Sequence, residues 1–381
     1  MKVLMVTPYY FPTVGGTEVL IQNLAVKLDE LGVTADILTF NFISSQANLI
    51  PFWRGKNENV DGVNVIKIPA LLLLPWQMHS DKMNFMVNFI PGRFTYYLKN
   101  YDVIHFHNDV DLSFPLFSSL VKKPKILHCH LFNTTYSLYK RNFISRRILR
   151  NVADIYIAVS KYFVKLFVDL GVPETKVRLL PNGVDVNKFR PDKESKIEGL
   201  LLFVGRIEPS KGLLFLLKSL NYLAKPVQLV IIGSLGKDRS YNETIMSLIA
   251  KVNEKTIHKV VYLGKQRQTE TIKWYQKASI FVLPSLSESF PLVNLEALAC
   301  ETPIVASNVG GIPEAVLNYK NGILISPGNV YELTQGIQYL LDNAKVRKRF
   351  GEEGRKLIMK SFSSEILMKR LLRIYNEVIS L

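Results

Sequence analysis

The chain has 381 residues, which is long for one domain, so its length predicts two domains. Its hydrophobic content of 48% is sufficient for two cores, and its two cysteines, Cys129 and Cys300, exclude a disulfide-rich secreted fold. The formal net charge of +16 is spread over both halves, and no helix-turn-helix, zinc or RNA-binding motif accompanies it. We therefore predict no nucleic-acid partner and consider attraction to anionic lipid or to an acidic substrate instead.

The N-terminal segment predicts a βαβ unit. Residues 2–10 form an apolar run that is typical of a buried parallel strand, and they are too β-like for a signal peptide. The following loop contains Gly15 and Gly16, where a backbone can approach a ligand closely, and residues 18–32 have apolar side chains at helical spacing up to Leu31. The loop lacks the G-x-G-x-x-G pattern of dinucleotide binders, so an NAD site is not favoured, and a plain tight turn is the alternative.

Two segments of the first half are candidates for contact with a membrane surface or an acceptor. Residues 71–91 are unusually apolar, and a core helix is the alternative interpretation. Residues 140–150 combine five basic side chains with aromatic and aliphatic ones, which predicts a basic amphipathic helix, with a solvated helix face as the alternative. No apolar run reaches the ~18–20 residues that a membrane span needs.

Two predicted strands of the first half end in histidines. The first ends with His105 and His107, and the second ends with His128, Cys129 and His130. Histidine and cysteine together are typical metal ligands, but no third and fourth ligand follows at the usual spacing. The sequence therefore predicts no metal site.

A second βαβ rhythm begins in the second half of the chain. An apolar strand near residue 200 leads into a loop that contains Gly205, Arg206 and Lys211. Arginine and lysine five residues apart in such a loop can converge on one diphosphate, because the guanidinium offers a planar fork and the ammonium a mobile point charge. Solvated surface charges are the alternative.

A strand, a loop and a helix follow one another at residues 278–300. The helix begins near Pro291, and its N-terminus presents unpaired N–H groups that suit an anion outside the carboxyl end of the sheet. Two carboxylates, Glu288 and Glu296, flank this predicted anion site, and an ionised carboxylate accepts hydrogen bonds from sugar hydroxyls. A diphosphate between two sets of hydroxyls describes a nucleotide-sugar, whereas two solvated glutamates are the alternative.

Five motifs in order along the chain resemble the retaining glycosyltransferases of family 4, which have the GT-B fold. They are Gly15-Gly16, PNGVD (181–185), GRIEPSKG (205–212), ESFPLVNLEALAC (288–300) and GGIPE (310–314). The resemblance implies an α/β fold of two Rossmann-like βαβ domains facing each other across a deep cleft, with a C-terminal helix that crosses back. The N-terminal domain, on the acceptor side, would span 1–185 completed by 365–381, and the donor-binding domain would span 186–364.

The resemblance also implies roles for individual residues. It assigns catalysis to His130, Arg206, Lys211 and Glu288. It assigns donor binding to Gly15, Gly16, Gly205, Lys265, Gln266, Ser289, Phe290, Pro291, Leu292, Val293 and Glu296.

In the roles that the resemblance implies, Glu288 holds hydroxyls of the transferred hexose and Glu296 holds the ribose hydroxyls. Arg206 and Lys211 hold the diphosphate, and the nucleobase lies near Lys265. His130 orients the donor sugar, with His128 as the alternative. Ser289 and Pro291 stand where glycine is frequent in the family, and proline removes one N–H donor from the anion site.

The implied activity is that of a metal-independent, retaining hexosyltransferase without a cofactor. Its donor would be a UDP-, GDP- or ADP-sugar, and its acceptor a hydroxyl of a carbohydrate or of a lipid-linked molecule. The predicted location is the cytoplasm, with peripheral contact to the anionic inner face of the plasma membrane as a hypothesis. A GT-B-fold nucleotide-sugar epimerase and a non-enzymatic basic protein that binds membrane or nucleic acid are the alternatives.

Overall fold

The structure is a computed structural model, and it describes residues 1–7, 10–11, 16–44, 49–51, 56–69, 96–107, 122–130, 143–192 and 196–381. The chain divides into two compact units. Unit 1 comprises Met1–Leu180 and Met368–Leu381, and unit 2 comprises Pro181–Leu367.

Unit 1 is built on a sheet of nine described strands. They are β1 (Lys2–Val6), β2 (Thr34–Ser44), β3 (Leu49–Pro51), β4 (Lys56–Val60), β5 (Val63–Pro69), β6 (Val103–His107), β7 (Lys125–Cys129), β8 (Ile155–Ala158) and β9 (Val177–Leu179). The strand order is β4-β5-β2-β1-β6-β7-β8-β9, with β3 paired to β2. Pairing is parallel except at β2–β3 and β4–β5, and the described residues of β6 and β8 are buried along their whole length. Such continuous burial is expected of parallel strands that are covered on both faces.

Three described helices of unit 1 lie between these strands: α1 (Gly16–Glu30), α2 (Phe143–Asn151) and α3 (Lys161–Asp169). The predicted apolar face of α1 is confirmed at Leu20, Ile21 and Leu28, which are buried. It is wrong at Leu31, which is 52% exposed, because the helix ends at Glu30 and the chain turns away through a left-handed glycine at position 32.

Unit 2 is built on a sheet of six parallel strands. They are β10 (Ile197–Val204), β11 (Gln228–Ile232), β12 (Lys259–Tyr262), β13 (Ala278–Leu283), β14 (Ile304–Ser307) and β15 (Gly322–Ile325). Their order is β12-β11-β10-β13-β14-β15, so the winding direction reverses between β10 and β13. This is the Rossmann order, in which ligands bind outside the carboxyl ends of the strands at the reversal. The topology therefore selects the loops after β10 and β13 as the place to look for a site.

Seven described helices cover the sheet of unit 2. They are α4 (Leu213–Leu220), α5 (Arg239–Lys255), α6 (Gln268–Lys277), α7 (Leu292–Ala299), α8 (Ile312–Ala315), α9 (Val330–Asp342) and α10 (Ala344–Leu357). A 3-10 turn at Pro209–Lys211 precedes α4, and a π-helical turn at Ile358–Phe362 follows α10. Helix α7 coincides with the predicted helix, and Cys300 is its C-cap residue.

The last helix, α11 (Ser364–Ser380), returns the chain to unit 1. The Tyr375 hydroxyl lies 2.8 Å from His105 Nδ1 on β6, and Glu377 forms an ion pair with Arg178 on β9. Leu371, Ile374 and Val378 are among the buried residues of the same helix. The predicted architecture of two Rossmann-like sheets and a returning C-terminal helix is confirmed.

The structure describes only part of the two segments that were predicted to contact a membrane or an acceptor. Residues 71–91 lie outside the described residues, whereas the basic segment is described from Phe143 onward, as helix α2. Phe143 is 66% exposed, and Arg147 and Arg150 on the same helix are exposed as well. Within the described residues, no helix combines the length and the apolar character that crossing a bilayer requires.

Candidate active site

Two loops of unit 2 meet at the point where the strand order reverses. One follows β10 and the other follows β13, and the Leu286 N–H of the second donates to the Ser210 carbonyl of the first at 2.8 Å. Gly212 has a φ of 70°, and a Cβ atom there would lie 1.8 Å from the Pro284 oxygen, so only glycine permits this approach of the two backbones. The GRIEPSKG and ESFPLVNLEALAC motifs therefore belong to one local structure.

An ion pair forms where these loops meet. Lys211 Nζ lies 2.6 Å from Glu288 Oε1, and the Ser285 hydroxyl donates to the same oxygen at 2.9 Å. The side chains of Lys211 and Glu288 are 23% and 8% exposed, so the pair is largely removed from solvent. Opposite charges at this distance and depth hold each other more strongly than a surface pair would. The structure thus brings together two of the predicted catalytic residues.

Arg206 lies in the first loop, directly after Gly205. Its Nη1 is 2.8 Å from Glu208 Oε1, and its side chain is 61% exposed. Gly205 donates its N–H to a backbone carbonyl of β11, and a Cβ atom on it would lie 3.9 Å from Cγ of Lys211. Gly205 therefore adjoins the stem of Lys211, whereas Arg206 pairs with Glu208, and the convergence of Arg206 with Lys211 on one anion stays a prediction.

Helix α7 begins directly after the second loop. Its first residue is Leu292, and Pro291 is the N-cap residue, with an extended ψ of 122°. Proline has no side-chain acceptor, so α7 lacks a side-chain cap, and the first-turn N–H groups of Leu292 and Val293 are left without a side-chain acceptor. These N–H groups and the positive end of the helix dipole favour an anion at this end of α7.

Two further motifs hold the backbone that precedes α7. The amide of Asn182, in PNGVD, donates to the carbonyl of the buried Phe290 at 2.8 Å. The N–H of Gly311, in GGIPE, donates to the carbonyl of Ser289 at 3.0 Å. Both motifs therefore act on the conformation of the loop between Glu288 and α7.

Glu296 lies one turn into α7 and has a buried partner. The Tyr275 hydroxyl, from the end of α6, donates to Glu296 Oε2 at 2.8 Å. Burial raises the pKa of Glu296 from its ordinary value of 4.5 to about 7, and the hydrogen bond from Tyr275 partly opposes this effect. The side chain therefore changes its charge near neutral pH.

A half-buried lysine supports this pair from the far end of α7. Lys196 Nζ donates to the carbonyls of Tyr275 and Cys300, at 3.1 and 2.9 Å, and to the Thr302 hydroxyl at 2.6 Å. Burial lowers the pKa of Lys196 to about 8. Its three hydrogen bonds fix α6 against the C-terminal end of α7.

The two residues whose hydroxyl groups hold Glu288 and Glu296 were not predicted. Ser285 stands three residues before Glu288 in the same short loop, so its hydroxyl was within reach of the carboxylate and the signal was available in the sequence. Tyr275 gave no signal, because its approach to Glu296 depends on how α6 packs on α7.

The predicted nucleobase turn directly follows β12. Lys265 is exposed. The side-chain amide of Gln266 donates a hydrogen bond to the carbonyl of Leu263, which lies in the same turn. Strand β12 lies at the edge of the sheet. The contribution of Lys265 and Gln266 to nucleobase binding stays a prediction.

The remaining predicted residues belong to unit 1. Gly15 lies outside the described residues, and Gly16 is the exposed first residue of α1. His130 directly follows β7, and its Nε2 lies 3.1 Å from Nδ1 of the buried His107. Burial lowers the pKa of His130 to about 3, so its imidazole is neutral at physiological pH. Its predicted contact with the donor sugar stays a prediction.

Comparison with known families covers almost the entire chain. The profile described as "Glycosyltransferase Family 4" matches residues 14–188, and the profile described as "Glycosyl transferases group 1" matches residues 185–357. An uncharacterized glycosyltransferase of Methanocaldococcus jannaschii is 26% identical over 98% of this chain and 98% of its own. A D-inositol 3-phosphate glycosyltransferase of Pseudarthrobacter chlorophenolicus is 29% identical over 88% of this chain and 84% of its own.

Solved structures show the same fold. Sucrose-phosphate synthase of Thermosynechococcus elongatus superimposes with a TM-score of 0.79 at 21% identity, covering 100% of this chain and 99% of that one. The Anabaena HepE protein in complex with UDP-glucose also gives a TM-score of 0.79, at 16% identity, covering 99% of this chain and 100% of that one. The chain belongs to glycosyltransferase family 4, whose members have the GT-B fold and are retaining, metal-independent hexosyltransferases that use nucleotide-sugar donors.

Proposed function

We propose that this glycosyltransferase moves a hexose from a nucleoside-diphosphate hexose to a hydroxyl of a carbohydrate or lipid-linked acceptor. The observation that carries the proposal is the pair formed by Lys211 and Glu288 in the loops before α4 and α7. The pair offers a cation for a diphosphate and a carboxylate for sugar hydroxyls within one hydrogen-bonded arrangement.

Lys211 acts on the leaving group in this proposal. As the bond between the sugar and the diphosphate breaks, negative charge grows on the diphosphate. The ammonium of Lys211 and the first-turn amides of Leu292 and Val293 take up that charge, and Arg206 adds a second cation from the same loop as Lys211. A fixed donor of this kind is typically worth about 3–4 kcal/mol of transition-state stabilisation.

The two glutamates act on the sugars. Glu288 accepts hydrogen bonds from hydroxyls of the transferred hexose, and the hydroxyl of Ser285 fixes the orientation of its carboxylate. Glu296 accepts hydrogen bonds from the ribose hydroxyls, and Tyr275 orients it in the same way. Each carboxylate is thus held by a neutral hydroxyl that leaves its second oxygen for substrate.

The proposal is tested with the purified chain and a panel of UDP-, GDP- and ADP-hexoses. We expect one nucleoside diphosphate to raise the melting temperature, and mass spectrometry to show its release together with a glycosylated acceptor. Failure of every nucleoside diphosphate to stabilise the protein would overturn the proposal. A C2-epimerised sugar formed without acceptor would instead identify an epimerase. Salt-sensitive binding to lipid or nucleic acid without any response to nucleotides would identify a binding protein.

The affinity for the donor is expected to rise with pH. Because burial raises the pKa of Glu296 to about 7, the carboxylate is mostly protonated at pH 6 and ionised at pH 8. Ribose hydroxyls donate better to the ionised form, so binding releases a proton, and we expect affinity to increase by about tenfold over these two pH units. Calorimetric titration with the intact nucleotide-sugar measures this, since its diphosphate diester has no proton to lose in that range.

Two variants isolate the contribution of Glu296 to the pH dependence of donor affinity. Glu296→Gln should bind the donor with little pH dependence. Tyr275→Phe removes a hydrogen bond that lowers the pKa of Glu296, so the midpoint of the profile should move to higher pH. An unchanged profile in Glu296→Gln would show that another group causes the dependence.

Contact with an anionic membrane remains a prediction, as does the cytoplasmic location. Helix α2 supports the membrane contact, because the exposed Phe143 adjoins the exposed Arg147 and Arg150 on this helix. Sedimentation with anionic vesicles at low salt measures it. The same protein with Arg147→Glu and Arg150→Glu should stay in the supernatant.

A further inference from the structure

Four buried histidines meet at the carboxyl ends of β6 and β7 in unit 1. His105 and His107 alternate on β6 and therefore point to the same face of the sheet. His107 is in register with His128 on β7, and His130 follows on the same side. The ring centroids of His105 and His107, and those of His128 and His130, are 4.1 Å apart. The intervening Cys129 points to the opposite face by the same alternation.

Most of the imidazole nitrogens in this cluster have no hydrogen-bond partner in the described part of the chain. His105 Nδ1 is bonded to the Tyr375 hydroxyl at 2.8 Å, and His107 Nδ1 to His130 Nε2 at 3.1 Å. The atoms that lack a partner are Nε2 of His105, Nε2 of His107, both nitrogens of His128, and Nδ1 of His130. Because the four residues are at most 6% exposed, each such atom costs about 1–3 kcal/mol unless a ligand satisfies it.

The hydrogen bonds that do form determine which imidazole nitrogens keep a lone pair for a ligand. If Nδ1 of His105 and of His107 carries the proton, it donates to Tyr375 or His130, and the lone pair is left on Nε2. This is the arrangement of metal-binding histidines, whose second nitrogen is held by a neighbouring acceptor. His128 has both nitrogens free and completes the set.

We propose that His105, His107 and His128 form a binding site for one divalent transition-metal ion, such as Zn²⁺ or Co²⁺. One ring nitrogen from each of the three residues lies within 4.8 Å of the others. Tetrahedral coordination with bonds of about 2.0–2.1 Å needs separations of about 3.3 Å, so the rings would have to rotate towards one another on binding. Imidazole ligands favour Zn²⁺, Co²⁺, Ni²⁺ or Cu²⁺ over Mg²⁺ and Ca²⁺. Burial lowers the pKa of all three imidazoles, which keeps them neutral and able to coordinate.

The ion would have a structural role in unit 1, because sugar transfer in this family is metal-independent. It would join β6 and β7, and through Tyr375 it would stabilise the attachment of α11 to the sheet. Coordination through Nε2 places the proton of His107 on Nδ1, where it donates to His130. His130 must then carry its own proton on Nδ1, so the ion fixes the tautomer of a predicted catalytic residue. This inference does not depend on the proposed function.

The experiment uses the full chain, freed of any polyhistidine tag and treated with chelator, and titrates it with Co²⁺. We expect a single equivalent to bind, with visible d–d absorption and a higher melting temperature. His128→Leu should abolish both signals. Because neither nitrogen of His128 has a described partner, the metal-free variant should melt at the same or a higher temperature than the unaltered protein.

Two further variants complete the test. His258→Asn replaces the buried histidine of unit 2 while keeping an acceptor for the Val227 N–H, and it should bind Co²⁺ normally. Tyr375→Phe should weaken binding by about tenfold, because it removes the hydrogen bond that orients His105. The proposal is overturned if the unaltered protein gives no Co²⁺ absorption, or if His128→Leu or Tyr375→Phe binds as tightly as it does.

Discussion

Replacing Lys211 by methionine is expected to lower kcat/KM by about 100–1000-fold, the usual consequence of removing one fixed donor from a developing anion. The expected loss is this large because the ammonium of Lys211 is only partly exposed and is held in place by Glu288 in the loop before α7. Steady-state kinetics with the donor identified in the nucleotide-sugar panel measure the effect. Lys218→Met, an exposed position on α4 in the same unit, is the matched control and should retain full activity.

The pairing of Lys211 with Glu288 adds a prediction about stability. Lys211→Met leaves a carboxylate that is 8% exposed without its cation, which destabilises the protein. Adding Glu288→Gln removes that uncompensated charge, so the double variant should melt at a higher temperature than Lys211→Met alone. Its activity should fall little further, since both groups serve one step. Additive losses in activity would contradict a shared role.

Gly310→Ala is expected to reduce kcat/KM by about 100-fold, because a displacement of about 1 Å at a catalytic group has effects of this size. Gly310 has a φ of 54°, and a Cβ atom there would lie 1.7 Å from the carbonyl oxygen of Glu288. Neither backbone can tolerate that distance, so the loop carrying Glu288 must shift. The affinity for the nucleoside diphosphate should change less than kcat, since Glu296 lies beyond the displaced loop.

Gly328→Ala separates this displacement from backbone strain. Gly328 has a comparable φ of 76°, but a Cβ atom there would meet its nearest neighbour at an ordinary 3.6 Å. Both substitutions therefore carry a left-handed strain of about 1–2 kcal/mol, and only Gly310→Ala moves the loop. Equal losses of activity in the two variants would show that strain alone, and not the position of Glu288, is responsible.

The elements around the loops after β10 and β13 were predictable because their signals are local. An apolar run, a proline at the helix start and an apolar helix face lie within residues 278–300, and each acts on its neighbours in the chain. The two motifs with Lys211 and Glu288 follow β10 and β13, which are neighbours in the sheet although β11 and β12 intervene in the chain. Parallel sheets place the carboxyl ends of their strands at one edge, so βαβ order predicts both motifs at that edge, and the strand order then makes them adjacent.

Contacts between side chains of separate elements could not be predicted from local sequence patterns. Tyr275 reaches Glu296 only through the packing of α6 on α7, and Gly310 meets Glu288 only through the path of the loop after β14. Neither contact corresponds to a characteristic spacing in the sequence, because the number of residues between the two partners depends on the lengths of the helices, strands and loops that separate them.

The histidine cluster shows most clearly the difference between what the sequence predicts and what only the folded sheet determines. His128, Cys129 and His130 supply too few metal ligands at the fixed sequence spacings that are typical of zinc motifs. Periodicity and the order of the family motifs were enough to predict two Rossmann-like domains and to propose a nucleotide-sugar site, because these follow from short-range patterns. The assembly of His105 and His107 with His128 required the parallel register of β6 and β7, which arises only when the sheet forms and burial removes the imidazoles from water.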